Sequence, residues 1–147
     1  MPSFRLRALV LAAGLLATLS GCASIDPLGR RSDFDDIQKN FTQYIRWGKF
    51  KEASQLLEPE LRSDFLDLAP QLSDLRFTDF EILDVDLDQK TLAKATVEVR
   101  FEGYSLSSPV QKSVTLKQTW KKDESGAWRV ALDLDKLRSG LLGSTTQ

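Results

Sequence analysis

The sequence predicts an α+β domain in which N-terminal helices pack on a curved, four-stranded antiparallel meander. The first observation is that apolar residues recur at helical spacing as far as Leu72. The second is that the apolar period changes to two residues from Phe77 and stays so to about Asp135, which is typical of strands with one buried face. Because that face must be covered, the helices are expected to pack against it.

The first helix is predicted to start at Ser32 or Asp33, since either side chain can cap a helix N-terminus. It should end at about Trp47, because Gly48 is a natural residue to follow a helix. Its apolar stripe consists of Phe34, Ile37, Phe41, Tyr44 and Ile45. A second helix should follow at once, and Pro59 ends it or begins a third. The buried positions of these two helices are Phe50, Ala53, Leu56, Leu57, Leu61, Phe65, Leu68 and Leu72.

The first predicted strand carries Leu83, Val85 and Leu87 on its buried face, in alternation with aspartates. Phe80 and Ile82 would point to the opposite face from Leu83 and Val85 in a regular strand. We therefore expect a bulge near Ile82 that bends the strand and curves the sheet. Residues 103–109 are predicted to form a loop between the second and third strands, and residues 124–126 a turn before the fourth. The inward positions of these three strands are Ala93, Ala95, Val97, Val99, Phe101, Val114, Leu116, Gln118, Trp120, Trp128, Val130, Leu132 and Leu134.

The amino terminus has the organisation of a secretory signal. Arg5 and Arg7 precede a 12-residue apolar run over residues 8–19, which is too short to span a hydrocarbon core of about 30 Å. The segment Leu19-Ser20-Gly21-Cys22 then resembles the lipobox of bacterial lipoproteins. That resemblance implies cleavage before Cys22 and attachment of acyl chains such as palmitate to its sulfur. The alternative is an ordinary secretory signal that leaves Cys22 as a free thiol.

The lipoprotein resemblance also implies a location. In that family an aspartate after the lipidated cysteine favours retention in the inner membrane, and Ala23 occupies the position here. We therefore expect the protein on the periplasmic face of the outer membrane, in a Gram-negative host. The predicted organisation is a signal peptide over residues 1–21, the lipidated cysteine and a tether over 22–32, one domain over 33–138, and a flexible tail over 139–147.

The predicted order of a helix, a helical hairpin and long bent strands resembles the NTF2-like, or cystatin-like, cone fold. The segment Thr115–Val130, which has one tryptophan in each arm of a hairpin, adds to this resemblance. The resemblance extends from about Asp33 to Asp135. It implies a curved sheet wrapped round a long helix, with a cavity between them that some members use for ligands or catalysis. Enzymes of that family often place histidine and aspartate in the cavity, but this chain has no histidine.

Composition excludes several classes of function. With no histidine and one cysteine, the chain cannot form a Ser-His-Asp triad, a Cys-His pair or a histidine-ligated zinc site. The 20 basic and 21 acidic residues provide no positive field for nucleic acid. No cofactor is predicted. Asp133 and Asp135 could form a carboxylate pair, but we expect them on the outer face of the sheet, away from any cavity.

A calcium site is also rejected. Asp84, Asp86 and Asp88 match the first positions of an EF-hand loop. Gln89 and Ala95 then occupy the positions where that loop requires glycine and glutamate. The three aspartates are therefore interpreted as a solvated strand face, and no metal site is predicted.

The candidate site consists of polar residues at positions where the periodicity would place apolar ones. Gln118 lies on the predicted inward face, and Tyr44 could present its phenol to a cavity. The residues proposed to line a ligand pocket are Tyr44, Phe101, Gln118 and Trp120. The alternative is a structural hydrogen bond within the core. Trp47, at a helix corner, could instead anchor a partner.

These observations predict a non-enzymatic binding or interaction module on the envelope. The domain is expected to be a monomer that is held at the membrane by Cys22 and has an envelope protein as its partner. The first alternative is a pocket for a small apolar or amphipathic ligand. The second is an enzyme of the NTF2-like superfamily, which only the family resemblance suggests.

Overall fold

The computed structural model describes residues 29–143, so the predicted signal peptide, Cys22 and residues 144–147 lie outside the described part. The elements are α1 (Arg30–Arg46), α2 (Phe50–Leu56), α3 (Pro59–Leu72), β1 (Leu75–Leu87), β2 (Lys94–Ser105), β3 (Ser108–Lys122), β4 (Trp128–Ala131) and α4 (Leu134–Leu142). The strands lie in the order β1-β2-β3-β4, and each pair is antiparallel. The predicted α+β class and the antiparallel meander are confirmed.

Helix α1 begins before the predicted cap. Gly29 precedes it with a φ of 62°, which favours glycine, and its carbonyl oxygen accepts hydrogen bonds from the Asp33 amide at 2.9 Å and the Ser32 hydroxyl at 2.8 Å. These bonds close the first turn at Arg30. The last residues of the predicted tether, 30–32, are therefore helical, and Asp33 lies in the first turn, where the helix dipole favours an acid.

A single hydrophobic core fills the space between the helices and one face of the sheet. Helix α1 contributes Phe34 and Phe41, whose rings pack edge-on against Trp120 at centroid distances of 5.8 and 5.6 Å. All three side chains are buried. The predicted covering of the apolar sheet face by helices is thus the arrangement observed.

Strand β1 contains the predicted bulge. The register shifts between Ile82 and Asp84, and again between Phe77 and Asp79. However, Leu83 and Val85, which were predicted to be buried, are 42% and 43% exposed. Leu83 is the extra residue at the bulge, and Val85 lies on an edge strand. The periodicity identified the apolar residues, but no helix among residues 29–143 covers this part of the sheet.

The observed structure near the carboxyl terminus differs from two predictions. The fourth strand ends at Ala131 rather than near Asp135, because Asp133 caps α4 by accepting the Lys136 amide at 2.8 Å. Helix α4 then includes residues 139–142 of the predicted flexible tail. Its leucines at helical spacing, Leu137 and Leu141, are buried against the core, which holds the helix on the sheet.

The β2–β3 connection is shorter than the predicted loop. Strand β2 continues to Ser105 and β3 begins at Ser108, so only two residues remain between them. Gly103 lies within β2, where a Cβ atom would approach the Arg76 carbonyl oxygen to 2.8 Å. Glycine therefore permits close pairing with β1 at this point, where a larger residue would separate the strands.

In the part of the chain that the structure describes, no helix is long and apolar enough to cross a membrane.

Candidate functional site

Three of the four predicted pocket residues lie inside the packed core. Phe101, Gln118 and Trp120 are at most 1% exposed. The Trp120 indole N–H donates to Gln118 Oε1 over 3.0 Å, which is the structural hydrogen bond that the sequence left open as an alternative. Phe101 packs against two further phenylalanine rings. Tyr44 is half-buried at the margin of the core.

An open cleft lies instead at the C-terminal end of α1. Its volume is about 380 Å³, and it is bordered by the α1–α2 turn, the end of α3 and the start of β1. None of the four predicted residues lines it. The lining residues are Arg46, Trp47, Gly48, Phe50, Leu72, Ser73, Leu75, Arg76 and Phe77. We call this feature the basic cleft.

The α1–α2 turn explains why a tryptophan is exposed at the rim. Gly48 has a φ of 67° and donates its amide to the Ile45 carbonyl oxygen at 3.1 Å, while the Lys49 amide bonds the Tyr44 carbonyl oxygen at 2.8 Å. The chain therefore reverses sharply after Trp47. This indole is 66% exposed, in contrast to Trp120 and Trp128, which are buried.

Two arginines give the basic cleft its charge. The Arg46 guanidinium lies 5.2 Å from the centroid of the Trp47 ring and donates to the Thr78 carbonyl oxygen at 2.9 Å. Arg76 Nη1 donates to the carbonyl oxygens of Ser73 and Leu75 at 3.0 and 3.1 Å. Within residues 29–143, neither guanidinium lies within 4 Å of a carboxylate, and the cleft lining contains no acid.

The floor of the basic cleft is apolar and buried. Phe50, Leu72 and Leu75 are buried, and the Phe50 ring packs edge-on against Phe65 at a centroid distance of 6.1 Å. Guanidinium groups offer paired donors to carboxylate and phosphate oxygens. An apolar floor with cations at the rim suits a ligand that has an apolar body and an anionic end.

A second groove, of opposite charge, lies between α3 and α4. Its volume is about 500 Å³, and its acidic lining residues are Asp64, Asp67, Asp133 and Asp135. Asp135 accepts a hydrogen bond from Arg138 at 2.6 Å. The sequence predicted Asp133 and Asp135 on the outer face of a strand, but both lie at the start of α4, because β4 ends before them. We call this the acidic groove.

The rejected calcium motif has a structural role at one residue. Asp88 accepts hydrogen bonds from the Thr91 hydroxyl at 2.8 Å and from the Lys90 amide at 2.9 Å. The Thr91 hydroxyl, followed by the backbone amides of Lys90 and Thr91, lowers the pKa of Asp88 below its ordinary value of 3.8. In the described part of the chain, no group of three or more metal-ligating side chains could hold a metal ion.

No protein-family model matches the chain, and no curated protein is similar to it in sequence. Among solved structures, a Bacillus subtilis protein named "Putative Isomerase" superposes on 82% of this chain and on 100% of its own, with a TM-score of 0.57 and 10% identity. The fold is NTF2-like. A Rhodopseudomonas palustris protein, also named "Putative Isomerase", matches 73% of this chain and 93% of its own, with a TM-score of 0.47 and 14% identity.

The Bacillus subtilis neighbour corrects the prediction that the NTF2-like domain is not an enzyme. That prediction depended on the missing histidine, and it is wrong as an exclusion, because a protein of the same fold bears the name of an enzyme class. Carboxylates, tyrosines and lysines also transfer protons in enzymes, so the absence of one residue type does not exclude acid–base chemistry.

The sequence indicated only part of the basic cleft. Trp47 was noted as an anchor at a helix corner, but Arg46 and Arg76 were not selected. Arg46 precedes the tryptophan, and this pairing at the end of an apolar stripe was an available signal. Arg76 had no comparable signal, because α2 and α3 separate the two arginines in sequence and the fold brings them to one cleft.

Proposed function

We propose that this chain is a lipid-anchored protein of the cell envelope whose NTF2-like domain binds a small amphipathic anion in the basic cleft. The observation that carries the ligand proposal is that the exposed Trp47 indole and two guanidiniums, which have no carboxylate partner in the described part, line one cleft with an apolar floor. The lipobox-like segment that ends at Cys22 supports the anchor. Acyl chains on Cys22 would hold the domain at the bilayer.

In this proposal the ligand has two parts. Its apolar body lies between the Trp47 ring and the buried floor residues, Phe50 and Leu75. Its anionic end accepts hydrogen bonds from Arg46 and Arg76. The volume of about 380 Å³ lies within the usual range of small-molecule sites.

Tryptophan fluorescence tests the proposal with decanoate as the probe. Because Trp47 is exposed while Trp120 and Trp128 are buried, saturable binding should change mainly the Trp47 emission. The uncharged analogue decanol should bind more weakly. We expect Arg76→Gln to weaken decanoate binding by about tenfold, which corresponds to one lost charged hydrogen bond.

Arg138→Gln is the matched control, because this exposed arginine lines the acidic groove. It should leave decanoate affinity unchanged. If Arg76→Gln binds decanoate as tightly as the parent chain does, or if decanol and decanoate bind equally, the proposed role of the basic cleft is refuted.

Catalysis of the kind that the neighbours' names indicate is the second candidate function. The observation that favours it is the acidic groove, where four carboxylates border a space that is also lined by apolar residues such as Leu68 and Leu132. A carboxylate can remove a proton adjacent to a carbonyl group. Deuterium exchange into cyclohexanone in D2O, followed by NMR, tests this chemistry.

Asp64→Asn should abolish exchange above the buffer rate, while Asp36→Asn, an exposed acid on α1, should not affect it. Exchange that does not exceed the buffer rate, or that persists in Asp64→Asn, would contradict a catalytic role for this groove with this class of probe.

A further inference from the structure

The second half of β1, from Glu81 to Leu87, has an open sheet edge. β1 is the first strand in the order β1-β2-β3-β4, so β2 pairs with only one of its two edges. The end of α1 reaches the first half of the strand, where Arg46 bonds the Thr78 carbonyl oxygen. Beyond that point, no element among residues 29–143 pairs with the outer edge, so its backbone groups can pair with a further strand.

An apolar strip lies along this edge on the inner side of the sheet. Ile82 is opposite Val99 and Val85 is opposite Val97, and the two β2 valines are fully buried. The side chains of Ile82 and Val85 therefore point to the inner face, yet they are 39% and 43% exposed. An added strand would place its own inward side chains next to them and continue the apolar face.

The outer side of the same edge is acidic. Asp84 is opposite Glu98, and Asp86 is opposite Thr96. A like-charge pair directly across two strands is unfavourable. In the described part of the chain, neither Asp84 nor Asp86 forms an ion pair, whereas Glu81 is paired with Arg100. The acids that have no partner thus lie where the outward side chains of an added strand would be.

We propose that this edge docks an extended protein segment in which apolar and basic side chains alternate. The segment joins the sheet as a strand beside β1. Its apolar side chains cover Ile82 and Val85, and its lysines or arginines face Asp84 and Asp86. A second copy of this chain does not meet the requirement, because pairing β1 with itself would bring the same acids together.

A labelled peptide of four Lys-Val repeats, blocked at both ends, tests this inference with the full chain in a non-ionic detergent. Fluorescence anisotropy should show saturable binding, and the matching Glu-Val peptide should not bind. Val85→Lys should weaken binding by about tenfold, because it replaces an apolar contact with a like charge. Val110→Lys is the matched control, since Val110 is another strand valine that is 63% exposed, but on β3.

Asp86→Lys provides an independent variant, because its side chain is exposed and folding should not depend on it. It should weaken binding of the Lys-Val peptide and permit binding of the Glu-Val peptide. Equal binding of the two peptides to the parent chain would overturn the inference. Equal losses in Val85→Lys and Val110→Lys would also overturn it.

Hydrogen exchange distinguishes strand addition from adsorption by charge alone. Bound Lys-Val peptide should slow the exchange of backbone amides in residues 81–87 and leave the β4 amides unchanged. Peptide binding without protection of these residues would overturn the proposed strand pairing. A dimer of the chain that Val85→Lys dissociates would overturn the proposed partner chemistry.

Discussion

Trp120 and Trp128 lie on neighbouring strands in one core, but only one of the two indole N–H groups has a hydrogen-bond partner. Trp120 Nε1 donates to Gln118 Oε1, whereas Trp128 Nε1 has no acceptor in the structure that covers residues 29–143. Both rings contact Phe34, and the Lys122 ammonium lies 5.2 Å from the Trp128 ring centroid. Comparing substitutions at the two positions therefore separates the contribution of ring packing to stability from the contribution of a hydrogen-bonded N–H group.

Replacing each tryptophan by phenylalanine should have unequal effects. Trp120→Phe removes the donor and leaves the buried Gln118 oxygen unpaired, whereas Trp128→Phe removes an N–H that has no acceptor. We expect Trp120→Phe to lower the free energy of unfolding by about 1–3 kcal/mol more than Trp128→Phe does. Urea unfolding of both variants measures the difference, and equal losses would contradict the assigned hydrogen bond.

At the scale of elements, the two hairpin turns at one end of the sheet share the same chemistry. Asp88 opens the β1–β2 turn, and Asp123 opens the β3–β4 turn. The Ser125 hydroxyl donates to Asp123 at 2.6 Å, and the Ser125 and Ala127 amides donate to the same oxygen. The hydroxyl first, then these amides and Arg129, lower the pKa of Asp123 below its ordinary 3.8, although burial partly opposes them.

These turns predict a dependence of stability on acid pH. A carboxyl whose pKa is lower in the folded state stabilises the fold above its unfolded pKa, and this contribution disappears as the pH falls through the folded pKa. The melting temperature should therefore fall from about pH 4 downward, and the fall should be smaller in the double variant Asp88→Asn, Asp123→Asn. Scanning calorimetry between about pH 6 and pH 2 measures this.

Glu124→Gln is the control for the acid experiment, because Glu124 is exposed on the same turn as Asp123. This variant should retain the pH dependence of the parent chain. If the double variant loses stability as steeply with acid as the parent chain does, the two turn carboxylates are not the groups responsible.

Helix α4 is the element that the sequence analysis did not predict, and Gly140 on this helix lies against Val114 of β3. A Cβ atom there would approach Val114 Cγ2 to 2.5 Å. Alanine favours a helix over glycine by roughly 1 kcal/mol, but overpacking costs about 1–3 kcal/mol. The net effect is a loss, and we expect Gly140→Ala to lower the free energy of unfolding in urea by up to about 2 kcal/mol.

Ser139→Ala, an exposed change on the same helix, should alter that free energy by less than about 0.5 kcal/mol. Stabilisation by Gly140→Ala would show that α4 does not pack against β3 as described.

At the scale of the whole molecule, helix α1 separates two ends of the domain. Gly29 precedes the first turn of α1, and the basic cleft lies at the C-terminal end of the same helix. A helix of 17 residues is about 25 Å long. Gly29 and the basic cleft therefore lie at opposite ends of α1, and we expect that removal of the anchor leaves ligand binding intact.

Cys22→Ala should abolish metabolic labelling with palmitate and move the protein to the soluble fraction, because Cys22 is the only cysteine in the chain. Decanoate binding in the basic cleft should be unchanged. Ser24→Ala serves as the control and should remain labelled. Labelling that persists in Cys22→Ala would refute the lipid anchor.

The positions of α1, α2 and α3, the β1 bulge and the order of the strands followed from the sequence, because apolar spacing reports the local period and the apolar side of each element. The lipobox-like segment likewise depends on neighbouring residues alone. Spacing does not report what covers an apolar side, so the exposure of Leu83 and Val85 depended on the extent of the helical layer. Residues distant in sequence, such as Arg46 and Arg76, meet only through packing. The basic cleft and the Gln118–Trp120 hydrogen bond therefore became evident only in the folded chain.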